Sequence, residues 1–205
     1  MQKSIIAFRY VETAIEIALM PAEAYAKEKS AAGRVATLGA FRCYRPKPHR
    51  IFLPAAYDSV LRGIYGRLDD TRSLVSSVEK IPGGTGSRAE MTLFDFAGVA
   101  RIALQEIGAD LGEYVAALEQ KAIERKAVVF QVWLDLAQPR IGRAVEILRE
   151  RGYFFGGTLP RWFDSDGLLM QKLLCPPNFE GIVLVSDSVK ELLEFIKEDW
   201  RRTQA

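Results

Sequence analysis

The chain has 205 residues, 49% of them hydrophobic and 26% charged, with a formal net charge of +2. A chain of that length buries about 70% of its unfolded surface, so it needs neither disulfide staples nor a structural metal to fold. With 28 basic residues against 26 acidic ones and no block of like charge, a phosphate-backbone footprint is missing, and nucleic acid is not expected as a partner.

Cys43 and Cys175 belong to no CxxC pair, which fits a reducing compartment, and a cytoplasmic location is expected. His49 is the single histidine, which removes most metal sites and nearly all nucleophile–histidine machinery. It stands between Pro48 and Arg50 and reads as a surface residue in a loop, so no metal is expected. No apolar run reaches the roughly 20 residues of a membrane span, and a membrane is not expected as a partner. The start, MQKSIIAFRY, lacks a signal-peptide core and cleavage site.

In chain order, Ile15, Ile17 and Leu19 alternate as a strand does, and AEAYAKEKSAA beyond Pro21 has the composition of a helix. VATLGAFRCY, 35–44, is strand-like and PKPHR breaks it. IFLP leads into a helix whose Tyr57, Val60, Leu61, Ile64, Tyr65 and Leu68 share one face. TRSLVSSVEK reads as a strand. IPGGTGSR is glycine-rich, but it lacks the Lys-Ser/Thr ending of a P-loop and precedes a strand pattern, so it reads as a hairpin connection.

MTLFDF and VARIALQ, separated by Ala97 and Gly98, form a hairpin pattern. A helix follows from Asp110, with Leu111, Tyr114, Val115, Leu118 and Ala122 as its buried stripe and Asp110 and Glu113 spaced for a capping box. VVFQVWLDL is apolar on nearly every residue, as a strand buried on both faces is. On it Gln131, Trp133 and Asp135 point to one side, where a buried amide and carboxylate require partners.

Pro139 opens the next helix, with Ile141, Ala144, Val145 and Leu148 inward, and Gly152 ends it. YFFGGTLPRW and LLMQKLL are strands joined by the turn FDSDG. A last amphipathic helix, opened by a Ser188–Glu191 capping box, turns Val189, Leu192, Leu193, Ile196 and Trp200 to one side. That face packs on the domain or on a second subunit, and a homodimer is one outcome.

The alternation from 99 to 174, with ARIALQEIGADL, the LDL strand, AVEILRERGYFFGG and DGLLMQKL, resembles the GNAT (acyl-CoA N-acyltransferase) fold, in its divergent bacterial form. The resemblance implies an α+β fold, a mixed and mostly antiparallel sheet with helices on both faces, and a C-terminal helix. It divides the chain into residues 1–33, similar to the tail of a preceding GNAT domain, a GNAT-like domain at 34–180 and the helix at 181–205.

The family's R/Q-x-x-G-x-G/A turn binds the pyrophosphate of coenzyme A on backbone amides and a helix N-terminus. Gln105, Ile107, Gly108, Ala109, Asp110 and Leu111 stand at that turn here, with Gln105 and Gly108 matching the pattern and Asp110 departing from it. A carboxylate at that place caps the helix and repels a pyrophosphate. The family's Tyr and Asn positions on the next helix hold Leu148 and Ile141.

Arg101, Gln131 and Trp133 fall in the implied substrate cleft, and Asp135 either pairs with Arg101 or accepts a proton from an amine. The implied activity is acyl transfer from acetyl-CoA or another acyl-CoA to an amine of a small molecule or protein. The alternative is a catalytically inactive GNAT-fold module for ligand sensing or protein interaction.

Overall fold

A computed structural model describes residues 14–21, 34–40, 47–68, 71–77, 84, 86–180, 182, 184 and 187–204, the first two segments by their backbone alone. The strands are β1 (Ala14–Pro21), β2 (Arg34–Ala40), β3 (His49–Leu53), β4 (Arg72–Ser76), β5 (Arg88–Phe94), β6 (Val99–Glu106), β7 (Val129–Asp135), β8 (Phe154–Phe163) and β9 (Ser165–Leu173). The helices are α1 (Asp58–Tyr65), α2 (Leu111–Glu124), α3 (Ile141–Glu150) and α4 (Asp187–Arg202). The helix expected after Pro21, the end of VATLGAFRCY with Cys43, and half of IPGGTGSR lie outside the described residues.

The protein is α+β. Seven strands make one sheet in the order β2-β1-β8-β9-β7-β6-β5, and β3 pairs with β4 in parallel as a separate ribbon. Within the large sheet only β6 and β7 run parallel, with Val99–Leu104 opposite Val129–Leu134, and α2 makes the crossover. The remaining neighbours are antiparallel, so the sheet is mixed and mostly antiparallel, as the resemblance implies. The β5–β6 hairpin turns through Gly98 at φ 60°, a left-handed conformation that glycine adopts without a Cβ clash.

On β6, β7 and β9 the alternate residues Ile102, Leu104, Val132, Leu134, Leu168 and Met170 share one core with the apolar stripes of α1, α2, α3 and α4. Those stripes are the ones the sequence predicts, including Leu61 and Ile64 of α1 and Leu148 of α3, which is wholly buried. The sequence predicts helices on both faces; among the described residues all four stand on this one. The opposite face carries separate small clusters around Val129 and around Trp133 with Leu169.

Three local predictions change. His49 belongs to β3, not to a loop, because Ile51 and Leu53 alternate into the core on that strand. The FDSDG turn shrinks to Asp164 alone, at φ 60°, with Phe163 opposite Ser165. At Asp110 no side-chain cap forms, so the Asp110–Glu113 capping box is not made. At the other capping box, α4 already begins at Asp187, and the Glu191 carboxylate accepts a hydrogen bond from Arg67 at 3.3 Å.

The last helix packs on its own domain. Its Val189, Leu192, Leu193 and Ile196 enter the main core, so this face is not open to a second subunit. Asp199, with its side chain 5% exposed, accepts hydrogen bonds from the Tyr57 hydroxyl at 2.7 Å and the Phe155 backbone N–H at 2.8 Å. It also pairs with Arg202 at 3.0 Å and Arg149 at 3.3 Å. The 181–205 segment is thereby joined to the 34–180 domain, and β1 joins the same sheet through Glu16 opposite Gly157. No helix among the described residues is long and apolar enough to cross a membrane.

Asp199→Ala strips the acceptor from a buried hydroxyl and a buried amide at once. It is expected to cost about 3 kcal/mol or more, read as a fall in the urea midpoint, and a change below about 0.5 kcal/mol would show that α4 is held by its apolar face alone.

Candidate functional site

Three sets of residues carry the polar chemistry of the sheet. The first is the turn into α2. Ile107, Gly108 and Leu111 are buried, while Gln105, Ala109 and Asp110 are exposed. The Gly108 N–H donates to the Ser87 hydroxyl at 3.0 Å, and the Ser87 N–H donates to the Asp110 carboxylate at 2.7 Å. Hydrogen bonds from Ser87, first from its hydroxyl and then from its backbone, hold the Asp110 carboxyl below its usual pKa. Asp110 thus bonds across to the loop before β5 instead of capping its own helix.

Beyond Leu104 and Leu134 the ladder between β6 and β7 stops. β7 runs on against β9, and Phe52 of β3 donates its N–H to the Leu136 carbonyl at 2.7 Å. The fork is bridged by Gln138, whose side-chain amide donates to the Gln105 carbonyl at 3.0 Å. Beside it Ser77 closes the start of α3, accepting the Gly142 N–H at 3.0 Å and donating to the Pro139 carbonyl. Ile141 and Leu148 of α3 are wholly buried.

The second set lies on the face opposite the four described helices. Arg101 and Gln131 stand opposite each other, and the Arg101 Nε–H donates to Gln131 Oε1 at 3.3 Å. Asp135 is not the partner of Arg101: its carboxylate accepts from the Ser165 hydroxyl and from the Ala137 N–H at 2.8 Å. Trp133, 2% exposed, stacks on Trp162 with ring centres 4.5 Å apart. Gly167 makes this possible, because a Cβ there would come within 2.8 Å of the Trp162 Cβ.

The third set is one the sequence reading misses. Asp166, fully buried, accepts hydrogen bonds from His49 Nε2 at 3.2 Å, Arg72 Nε at 2.5 Å and the Arg161 backbone N–H at 3.2 Å. Arg72 lies over the Tyr65 ring at 4.8 Å, and Tyr65 reaches the Thr158 hydroxyl at 2.6 Å. Both ring nitrogens of His49 face oxygen atoms, the second being the Lys47 carbonyl at 2.9 Å. The signal for this cluster was present in phase: Asp166 shares the inward parity of Leu168 and Met170.

The sequence therefore places Gln105, Ile107, Gly108, Ala109, Asp110 and Leu111 on one turn, and Arg101, Gln131, Trp133 and Asp135 on one face, as predicted. Arg101 and Asp135 are not joined. Among the described residues no group of His, Cys, Asp and Glu is arranged to hold a metal ion. Compared with protein-family models, with curated proteins and with solved structures, the chain matches none.

Asp166→Ala removes the carboxylate from a guanidinium whose side chain is 2% exposed. The expected cost is about 3 kcal/mol or more, together with a red shift of tryptophan emission as Trp162 leaves Trp133. An unchanged urea midpoint would remove Asp166 from any bracing role.

Burial raises the pKa of Tyr57, Tyr65 and Tyr153 well above the ordinary tyrosine value. The folded state therefore keeps protons that the unfolded state releases. Its stability is complete below about pH 10 and is lost as pH rises past that value. Urea midpoints measured alongside phenolate absorbance are expected to fall only above that pH, and a fall that begins near neutrality would contradict the assignment.

Proposed function

We propose that this chain is a GNAT-like domain that binds a ligand without transferring an acyl group. The topology supports the GNAT part of the reading. A single parallel pair, β6 and β7, sits in an otherwise antiparallel sheet, its crossover is α2, and β9 lies between β7 and β8.

One observation carries the rest: the turn into α2 is filled by the protein itself. The Gly108 amide is bonded to Ser87, and the Asp110 carboxylate lies across the mouth of the helix. A helix N-terminus attracts a phosphate through free amides and a positive field. Here one amide is taken and a negative charge stands in the field, so the residues present do not suit coenzyme A.

The fork that would receive the rest of such a molecule is spanned by Gln138. At the positions that the resemblance assigns to the acid and its helper, Leu148 and Ile141 lie in the core, where no proton is available. Acyl transfer from acetyl-CoA to an amine is the second reading, favoured by the half-buried Asp135 at the end of β7. We place the protein in the cytoplasm on the cysteine spacing alone.

Calorimetric titration with acetyl-CoA tests this. No saturable heat is expected up to about 1 mM, equivalent to about −4 kcal/mol of binding. The double variant Ser87→Ala, Asp110→Gly frees the amide and removes the charge, and is expected to bind at least about tenfold more tightly than the parent. Micromolar binding by the unaltered chain, with coenzyme A released in the presence of amines, would overturn the proposal in favour of acyl transfer.

A further inference from the structure

Polar groups lie deep on the sheet face opposite the four described helices, where Gln131 is 1% exposed and Trp133 2%. Buried donors almost always have acceptors, so an exception marks a place where an acceptor can arrive from outside. The Trp133 indole N–H is such an exception, with no partner among the described residues. Trp162, only half-buried, covers it.

Trp162 also flanks Arg101. The guanidinium carbon stands 5.0 Å from the centre of the Phe94 ring and 5.5 Å from that of Trp162. Its Nε–H is bonded to Gln131, and its two terminal nitrogens have no partner among the described residues. A guanidinium held between aromatic rings and anchored at Nε presents its remaining N–H groups as a fork, the shape that matches a planar oxyanion.

We propose that Arg101, framed by Phe94 and Trp162, forms with the Trp133 indole a receptor for a small monocarboxylate with an apolar body. It rests on the reading of the chain as a binding module and names the ligand class. The carboxylate takes the Arg101 fork, and the apolar body lies against Trp162, which moves to admit an oxygen to the indole N–H.

Charge limits the ligand to one negative group. Arg101 is the cation of the cluster, while Glu90, opposite Ala103 on the edge strand, and Asp135, two residues from Trp133, share this face. A dianionic phosphate meets their repulsion with one cation to offset it, whereas a monocarboxylate is balanced.

The test is titration of the nitrogen-labelled full chain with sodium hexanoate, followed on the three tryptophan indole resonances by NMR, with inorganic phosphate as the second arm. Trp133→Phe assigns the Trp133 signal. A saturable downfield shift of that signal with hexanoate is expected, at least about tenfold weaker in Arg101→Met through loss of a charge-assisted pair. If Arg101→Met loses its dispersed amide spectrum, Arg101→Lys, which keeps the charge and loses the fork, carries the same expectation.

No shift at the solubility limit of hexanoate, or a shift that Arg101 substitution leaves unchanged, overturns the site. Saturation by phosphate at lower concentration than by hexanoate overturns the ligand class. Acetyl-CoA seated at the α2 turn would instead perturb the Gly108 amide and leave this indole in place, so failure of the binding-module reading registers on a different resonance.

Discussion

A single carboxylate with no solvent exposure, Asp166, holds together three parts of the chain that are far apart in sequence. His49 comes from β3, Arg72 from β4 and the Arg161 amide from β8, and all three meet its two oxygens. In energy a buried ion pair roughly breaks even with an apolar replacement. Its effect here is on geometry: the β3–β4 ribbon is fixed to the end of the β8–β9 hairpin. Arg161 takes a left-handed φ of 64°, which a side chain with a Cβ adopts only when its surroundings impose it. Asp166 binds its amide, and the Asp164 and Lys47 carbonyls bind its guanidinium at 3.3 and 2.7 Å. The adjoining residue, Trp162, is thereby turned back across the sheet onto Trp133.

The two faces of the sheet follow different rules as a result. One is aliphatic and takes all four described helices, with Ile102, Val132 and Met170 at its centre. The other carries the buried Gln131, Trp133 and Gln171 and the half-buried Arg101 on its central strands, and of these the Trp133 indole N–H has no partner among the described residues. A face meant only for a helix layer would carry branched aliphatic side chains, since an amide or an indole N–H without an acceptor is costly to bury.

How much of this could be read from the residues depends on the range of the interaction. Period and punctuation gave α3 and its stripe, the β5–β6 hairpin and the doubly buried β7, because each is decided within about ten residues. Asp110 was legible as the residue that departs from a phosphate-binding turn, but its partner was not, since Ser87 lies 23 residues away on another element. The spacing of Asp110 and Glu113 invited a capping box, and a tertiary hydrogen bond took the carboxylate instead. His49 looked like a loop residue because the prolines Pro46 and Pro48 precede it. Its strand is made by parallel pairing with β4, across 23 residues, and local sequence carries no mark of that. Arg101 and Asp135 were placed on the correct face, yet each found a nearer neighbour, Gln131 and Ser165.

At the turn into α2 the chain supplies its own hydrogen-bond partners. Every helix start leaves backbone amides that need acceptors, and a bound phosphate is one way to supply them. Ser87 supplies one from within the chain, and Asp110 brings a negative charge to the same place while tying the loop before β5 to the helix. Gln138 does the corresponding service at the strand fork, where the Gln105 carbonyl would otherwise face outward past the end of the ladder. Both substitutes are polar side chains that add stability only in the absence of a competing molecule, so the more firmly they hold, the weaker any anion bound at that turn becomes. The face opposite the four described helices combines a cationic fork at Arg101 with a buried indole donor at Trp133, on β6, the strand that leads into the helix cap, and on β7 beside it.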